Sequence, residues 1–127
     1  MREILFKAKA KDEPIEWVEG YLSKNEKEYI ICDEEGFGIF INPDTICQYT
    51  GLTDKSGNKI WENDVVRYYD DIVSMNKQDL IEWNETHASF TRVHESQMGL
   101  QYLYIDECIA NRCELIGNIF DNPELIN

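Results

Sequence analysis

A chain of 127 residues, 43% hydrophobic and 12% aromatic, is long enough to bury a core and too apolar to remain disordered. Its 25 Asp and Glu outweigh 12 Lys and Arg, for a formal charge of −13; that field repels phosphate and argues against sequence-independent nucleic-acid binding. The acids are spread along the chain, so solubility is the plain reading of the charge, and a carboxylate ladder imitating DNA phosphates lacks a regular pattern to support it.

In chain order, Glu3 to Lys9 predicts a first strand, with Ile4, Phe6 and Ala8 alternating against mostly charged neighbours. Asp12-Glu-Pro14 interrupts it, because proline fixes φ and removes a ladder donor. Ile15 to Leu22 predicts a second strand, with Ile15 and Trp17 on one face, and Ser23 to Lys27 is a polar turn. Glu28 to Cys32 follows as a short core strand. Asp33-Glu-Glu-Gly36 is a hairpin turn in which Gly36 supplies positive φ. Phe37, Ile39 and Ile41 are expected to point inward on the returning strand. Asn42-Pro-Asp44 ends that strand, and Thr45 to Thr50 is again β-branched and extended.

Asp54-Lys-Ser-Gly57 has the order of a type I turn followed by a left-handed glycine. Lys59 to Trp61 and Val65 to Tyr69 are strands around a second break at Glu62-Asn-Asp64. From Ile72 to Trp83 two readings compete. Ile72, Met75, Leu80 and Trp83 could share a helical face, but a loop over Asp71–Lys77 and a strand over Gln78–Asn84 fits the following turn better. Ser89 to Val93 is extended, His94 to Gly99 reads as a loop, and Leu100 to Ile105 is extended. Periodicity leaves Ile105–Arg112 open between helix and strand. Leu115 to Phe120 is the last strand, and Asn122 with Pro123 predicts a capped helical turn over Pro123–Ile126.

The expected fold class is therefore mainly β: a small SH3-like barrel or β-sandwich of short antiparallel strands, with at most one or two short helices. One domain over residues 1–127 is the simplest account, with 1–48 and 49–127 as its subdomains if it divides. Cys32, Cys47, Cys108 and Cys113 could pair, but the only early apolar run, Ile4 to Phe6, is too short for a signal-peptide core or a membrane span. A cytoplasmic protein with reduced thiols and no membrane association is expected.

Two separated motifs carry a family likeness. Gln48-Tyr-Thr-Gly-Leu-Thr-Asp-Lys-Ser-Gly-Asn-Lys-Ile-Trp-Glu-Asn-Asp-Val-Val66 resembles the signature of the YopX family, small proteins encoded by bacteriophages and prophages. Glu114 to Ile126 is similar to that family's closing motif, and Arg2 to Ala8 to its opening. Asn63 stands where the signature often has glycine, and asparagine is the next most tolerant residue of a left-handed turn. The resemblance implies a mainly β fold and a phage or prophage source in a Gram-positive or gut bacterium. It implies no catalytic residues.

Candidate chemistry is sparse. Cys108 and Cys113, with His87 and His94 upstream, lack the two close pairs of a structural zinc site, so free thiols are the better reading. Asp64, Asp70 and Asp71 form the densest acid cluster near the signature but not the alternating oxygen pattern of a calcium loop. His87 beside Ser89, or His94 near Ser96, could activate a hydroxyl, yet no third orienting group is evident. Gly36-Phe-Gly38 lacks the spacing of a phosphate cradle. Trp17, Trp61, Trp83, Tyr68, Tyr69, Tyr102 and Tyr104 could stack bases, but core packing or a protein-binding patch fits an acidic chain better. No catalytic, cofactor-binding or metal residue is assigned and no cofactor is expected. The function expected is that of a non-enzymatic phage accessory protein acting through contacts with an unidentified host or phage protein or with its own copies. A nucleic-acid-associated regulator or acidic DNA mimic is the alternative.

Overall fold

The structure, a computed structural model, describes residues 3–126. Arg2, the first residue of the opening likeness, lies outside them. The fold is mainly β, as expected. Among the described residues the strands are antiparallel and fall in two sheets, accompanied by one short helix, α1 (Glu107–Ala110), and 3-10 turns at Pro43–Thr45 and Pro123–Ile126. The chain forms two compact units, Met1–Tyr49 and Thr50–Asn127.

The first unit contains β1 (Phe6–Lys9), β2 (Trp17–Lys24), β3 (Tyr29–Cys32), β4 (Gly38–Phe40) and the start of β5 (Cys47–Thr53), in the hydrogen-bonded order β4-β3-β2-β1-β5. β2 is shared between neighbours: Trp17–Gly20 pairs with β1, and Tyr21–Lys24 pairs with β3. Gly20 sits at the handover, where any Cβ would overlap the Cys32 carbonyl oxygen. On its other edge β1 also has two partners. Phe6 and Lys7 pair with Gln48 and Cys47, while Ala10 bridges Ile41 just beyond β4. Ala8, Ile31 and Ile41 form the buried centre, with Phe6, Val18, Leu22, Tyr29 and Ile46 packed on it.

Two expectations change in this unit. Of the inward set read for the β4 region only Ile41 is buried; Phe37 and Ile39 are 67% and 40% exposed. β4 has only three residues, and the hairpin turn still holds Phe37, whose N–H donates to Asp33 Oδ1 at 2.9 Å. Thr45 is not in a strand but closes a 3-10 turn, started by Pro43 and capped by the Asn42 side chain, which accepts from Asp44 N–H.

The second unit continues β5 into β6 (Lys59–Trp61) and then forms a five-stranded sheet. Its strands are β7 (Asp64–Asp70), β8 (Met75–Asn84), β9 (Ser89–Ser96), β10 (Gly99–Tyr104) and β11 (Glu114–Asn118), in the order β10-β9-β8-β7-β11. Ile60, Val66, Ile81, Ala110 and Cys113 are its buried core, flanked by Leu52, Tyr68, Ile105 and Ile109.

Here the strands run further than local sequence suggests. Residues 72–83 are not helical: Ile72, Met75 and Trp83 are 94%, 54% and 42% exposed, and β8 begins at Met75. The loop expected over 71–77 is shorter because β7 continues to Asp70 and gives Met75, Asn76 and Lys77 partners. The loop expected from His94 is also strand, since β9 reaches Ser96 before turning. Residues 105–112 resolve to α1, capped by Asp106, whose Oδ1 accepts from Ile109 N–H at 2.8 Å. β11 stops at Asn118, where the Asn118 carbonyl oxygen of the side chain takes the N–H groups of Phe120 and Asp121 and turns the chain. The predicted helical turn at Pro123 is a 3-10 turn. Asn122 does not cap it forward; its side chain accepts from Asn118 N–H, behind it.

Candidate functional site

The signature stretch is built around buried carboxylates. In the Asp54–Gly57 turn, Gly57 has φ 86 and its N–H donates to Asp54 O, while Asp54 N–H donates to Asn58 O. One oxygen of Asp54 accepts from Ser56 and Asn58 N–H, both at 2.9 Å; the other accepts from Leu115 N–H at 3.0 Å and from the Asn58 side-chain amide. Lys55 N–H donates to Cys113 O beside it. Burial by itself raises the Asp54 carboxyl, but the N–H groups of Leu115, Asn58 and Ser56 outweigh it and hold the group below the usual carboxylate range. The next turn repeats the device: Asn63 takes φ 73, and Asp64, 1% exposed, accepts from Trp61 N–H at 2.7 Å. These residues organise backbone and present no reactive group.

A second polar cluster lies on the five-stranded sheet. Asp79, 1% exposed on β8, accepts from Arg92 Nη1 at 3.2 Å and pairs with His94 Nδ1 at 2.9 Å. Arg92 also donates through Nε to Tyr104 O and lies over the Tyr68 ring at 5.3 Å. Burial, then the Asp79 charge, pushes the Tyr68 phenol up to about 12. Sequence reading missed Asp79, whose partners lie 13 and 15 residues away. The available signal was parity: Ile81 is inward on β8, so Asp79 shares its face and needs a partner. A carboxylate holding an imidazole through Nδ1 leaves Nε2 as the outer nitrogen, the arrangement used to activate a hydroxyl or thiol. Among the described residues no serine or cysteine hydrogen-bonds to His94. Ser96 Oγ donates to Gly99 O in the next turn, so the pairing with His94 read from sequence does not form.

The remaining candidates are dispersed. His87 lies in the turn between β8 and β9, not on a strand with Ser89, and its N–H donates to Asn84 Oδ1. Asp70 is paired with Lys77 at 2.9 Å, six strand positions from buried Asp64. Cys113 is buried with its thiol pushed up by desolvation, whereas Cys108 is exposed. Among the described residues no three His, Cys, Asp or Glu side chains gather as a metal site. The aromatics do not form one platform. Trp61 is buried, and Trp17 lies under Lys7. Trp83 packs edge-on against Phe90, and Tyr68 lies on the sheet face opposite Tyr102 and Tyr104.

What the surface offers is contact. In the first unit a groove of about 340 Å³ has Val18, Ile39 and Phe40 along its apolar wall and Asp12, Glu13 and Glu16 on its acidic side. The neighbouring Lys11 is engaged with Glu28 at 2.8 Å. Among the described residues no helix is long and apolar enough to cross a membrane.

The family described as YopX protein matches residues 3–127. The chain belongs to the YopX family. A crystal structure of protein EF1440 from Enterococcus faecalis is similar over 100% of both chains, with TM-score 0.52 and 20% identity, a likeness of fold. No curated protein matches the chain. The two buried-carboxylate turns of this YopX-family protein fall inside the Gln48–Val66 signature, and in that stretch they serve the architecture.

Two outcomes test this account of the polar groups. Asp79→Ala leaves the Arg92 guanidinium buried without its carboxylate and is expected to lower stability by about 3–5 kcal/mol in urea unfolding; a loss below about 1 kcal/mol contradicts a structural role. Asp54, Asp70, Asp106 and Glu114 are all held below their ordinary values, by N–H donors at Asp54 and Asp106, by Lys77 at Asp70 and by Arg67 at Glu114. Lowered folded-state values give stability that is present above the unfolded carboxylate range, about pH 4, and lost as pH falls through the folded values. Thermal melts should therefore drop steeply below about pH 4, and a midpoint unchanged down to pH ~2.5 would contradict the assignment.

Proposed function

We propose that this YopX-family protein is a phage- or prophage-encoded accessory factor that acts without catalysis, in the host cytoplasm, by contact with another protein. The observation that carries the reading is the acid-flanked apolar groove of the first unit. Exposed apolar side chains beside fixed charge of one sign suit a segment that brings an apolar anchor and basic flanks. Exposed Ile15 and Phe37 extend the apolar character of the same unit.

We also read the first unit as a small SH3-like barrel. Three features support it: β2 divided between two neighbours, β1 bounded by both β5 and the Ile41 bridge, and a 3-10 turn leading into β5. A barrel of this kind positions loops and one groove on a rigid frame.

The test is a tagged pull-down from host cells, identifying protein and nucleic acid together and comparing wild type with Asp12→Lys/Glu16→Lys. A protein captured by wild type and lost from the charge-reversed variant is the expected result. Nucleic acid without a protein partner, binding that weakens steeply with salt, would instead establish the alternative of a nucleic-acid-associated regulator. Displacement of a DNA-binding protein from DNA would establish the acidic-mimic form of that alternative.

A further inference from the structure

The five-stranded sheet has two edges of different character. At β11 the register shifts between Leu115 and Gly117, and the chain turns back immediately so that Asn122 and Leu125 fill the space over Gly117. A bulge and a covering turn are standard protection for an edge. At β10 no such device exists among the described residues. It pairs regularly with β9 at six successive positions, and β10 is the end of the strand order. It carries no proline and no charge. The ten residues from Ser96 to Ile105 contain no Asp, Glu, Lys or Arg, the longest such run in a chain of net charge −13.

The side chains on this edge are apolar and outward. Leu100, Tyr102 and Tyr104 alternate on one face and are 58%, 52% and 67% exposed, and Met98 in the preceding turn is 97% exposed. Of these only Leu100 reaches a cavity of about 380 Å³, which Val65, Leu80 and Val93 also line and where Glu82 and Glu95 supply acids. An uncharged, regular edge with an apolar face is what negative design normally removes from a monomer.

We propose that β10 is a self-association edge: two copies pair antiparallel through β10, joining their five-stranded sheets into one continuous sheet. Charge selects a second copy as the occupant. A basic partner would be drawn to carboxylates, and β10 itself carries none, the Asp106 carboxylate at the Tyr104 hydroxyl lying beyond its end; for two acidic chains this strand is the stretch where backbones can approach, since antiparallel pairing keeps the two Asp106 side chains at opposite ends of the contact. Antiparallel pairing about a two-fold axis sets the Leu100, Tyr102 and Tyr104 row of one copy against the same row of the other, and apolar and aromatic cross-strand pairs stabilise such a contact. Two acids lie near it: Glu95 sits one strand in, opposite Leu100, and Asp106, just past the end of β10, accepts from the Tyr104 hydroxyl at 3.1 Å. Across the joined sheet the two Glu95 side chains would be three strand spacings apart, about 14 Å, beyond the screening length of about 8 Å at physiological salt. The proposal concerns the second unit and stands independently of the groove in the first.

Sedimentation equilibrium of the full chain, at concentrations up to about 1 mM and at low and high sodium chloride, tests it. A monomer–dimer equilibrium that strengthens with salt is expected, because salt screens the general repulsion while the contact itself holds no ion pair. Tyr102→Lys should weaken the dimer at least about tenfold with an unchanged urea midpoint, since the side chain is already exposed. Tyr69→Lys, equally exposed on β7, should leave the dimer intact. A monomer under all conditions, a dimer that salt dissolves, or a dimer untouched by Tyr102→Lys would each overturn the proposal.

Discussion

The Asp54 carboxylate is the constraint on which the second unit depends. Its first oxygen closes the local hairpin turn, and its second takes the N–H of Leu115, a residue 61 positions away in the chain. A single ionised group thus fixes the turn after β5 and the entry of β11. Removing the carboxylate would leave several N–H groups without an acceptor in a place with little access to water, which costs far more than the bond itself is worth net. Asp64 extends the same logic one turn later, and between the two turns Ile60 and Trp61 are delivered to the interior.

Much of this framework is legible in the sequence. The Asp-x-x-Gly order at Asp33 and at Asp54 announces the two hairpin turns, and both glycines have the positive φ that the order requires. Alternation finds most of the strands. Strand extent is what it underestimates. His94 and Met75 look like loop residues in isolation, yet each lies on a strand because a partner chain segment is long enough to pair with it. The inward pattern at Phe37 and Ile39 fails for the opposite reason, since β4 is too short and too near an edge for anything to cover it. The Asp79 cluster was hidden because its members are unremarkable one at a time, and only cross-strand register brings Arg92, His94 and Tyr68 to one carboxylate.

Asp33 and Asp54 separate local from long-range roles. Both turns have the same bonds: an Asp Oδ1 accepting from the second and fourth residues beyond it, the Asp N–H donating to that fourth residue's carbonyl, and a glycine N–H returning to the Asp carbonyl. Asp33 makes only turn contacts, whereas Asp54 is buried and reaches across to Leu115. The Gln48–Val66 signature contains Asp54 and not Asp33, consistent with a motif that records the architectural contact. Function is then sought on the surfaces this frame leaves exposed, the groove beside β4 and the edge of β10.

The most direct measurement of the central claim is equilibrium urea unfolding at pH 7 of Asp33→Ala and Asp54→Ala, each against wild type. Since the turns share their backbone bonds, the difference between the two losses reads what Asp54 has in addition: the Leu115 tie, the Asn58 side-chain amide and burial. Asp54→Ala is expected to cost about 1–3 kcal/mol more than Asp33→Ala. Equal losses would show that the Asp54 carboxylate serves only its own turn, and the account of the signature as the fastening of the second unit would fail.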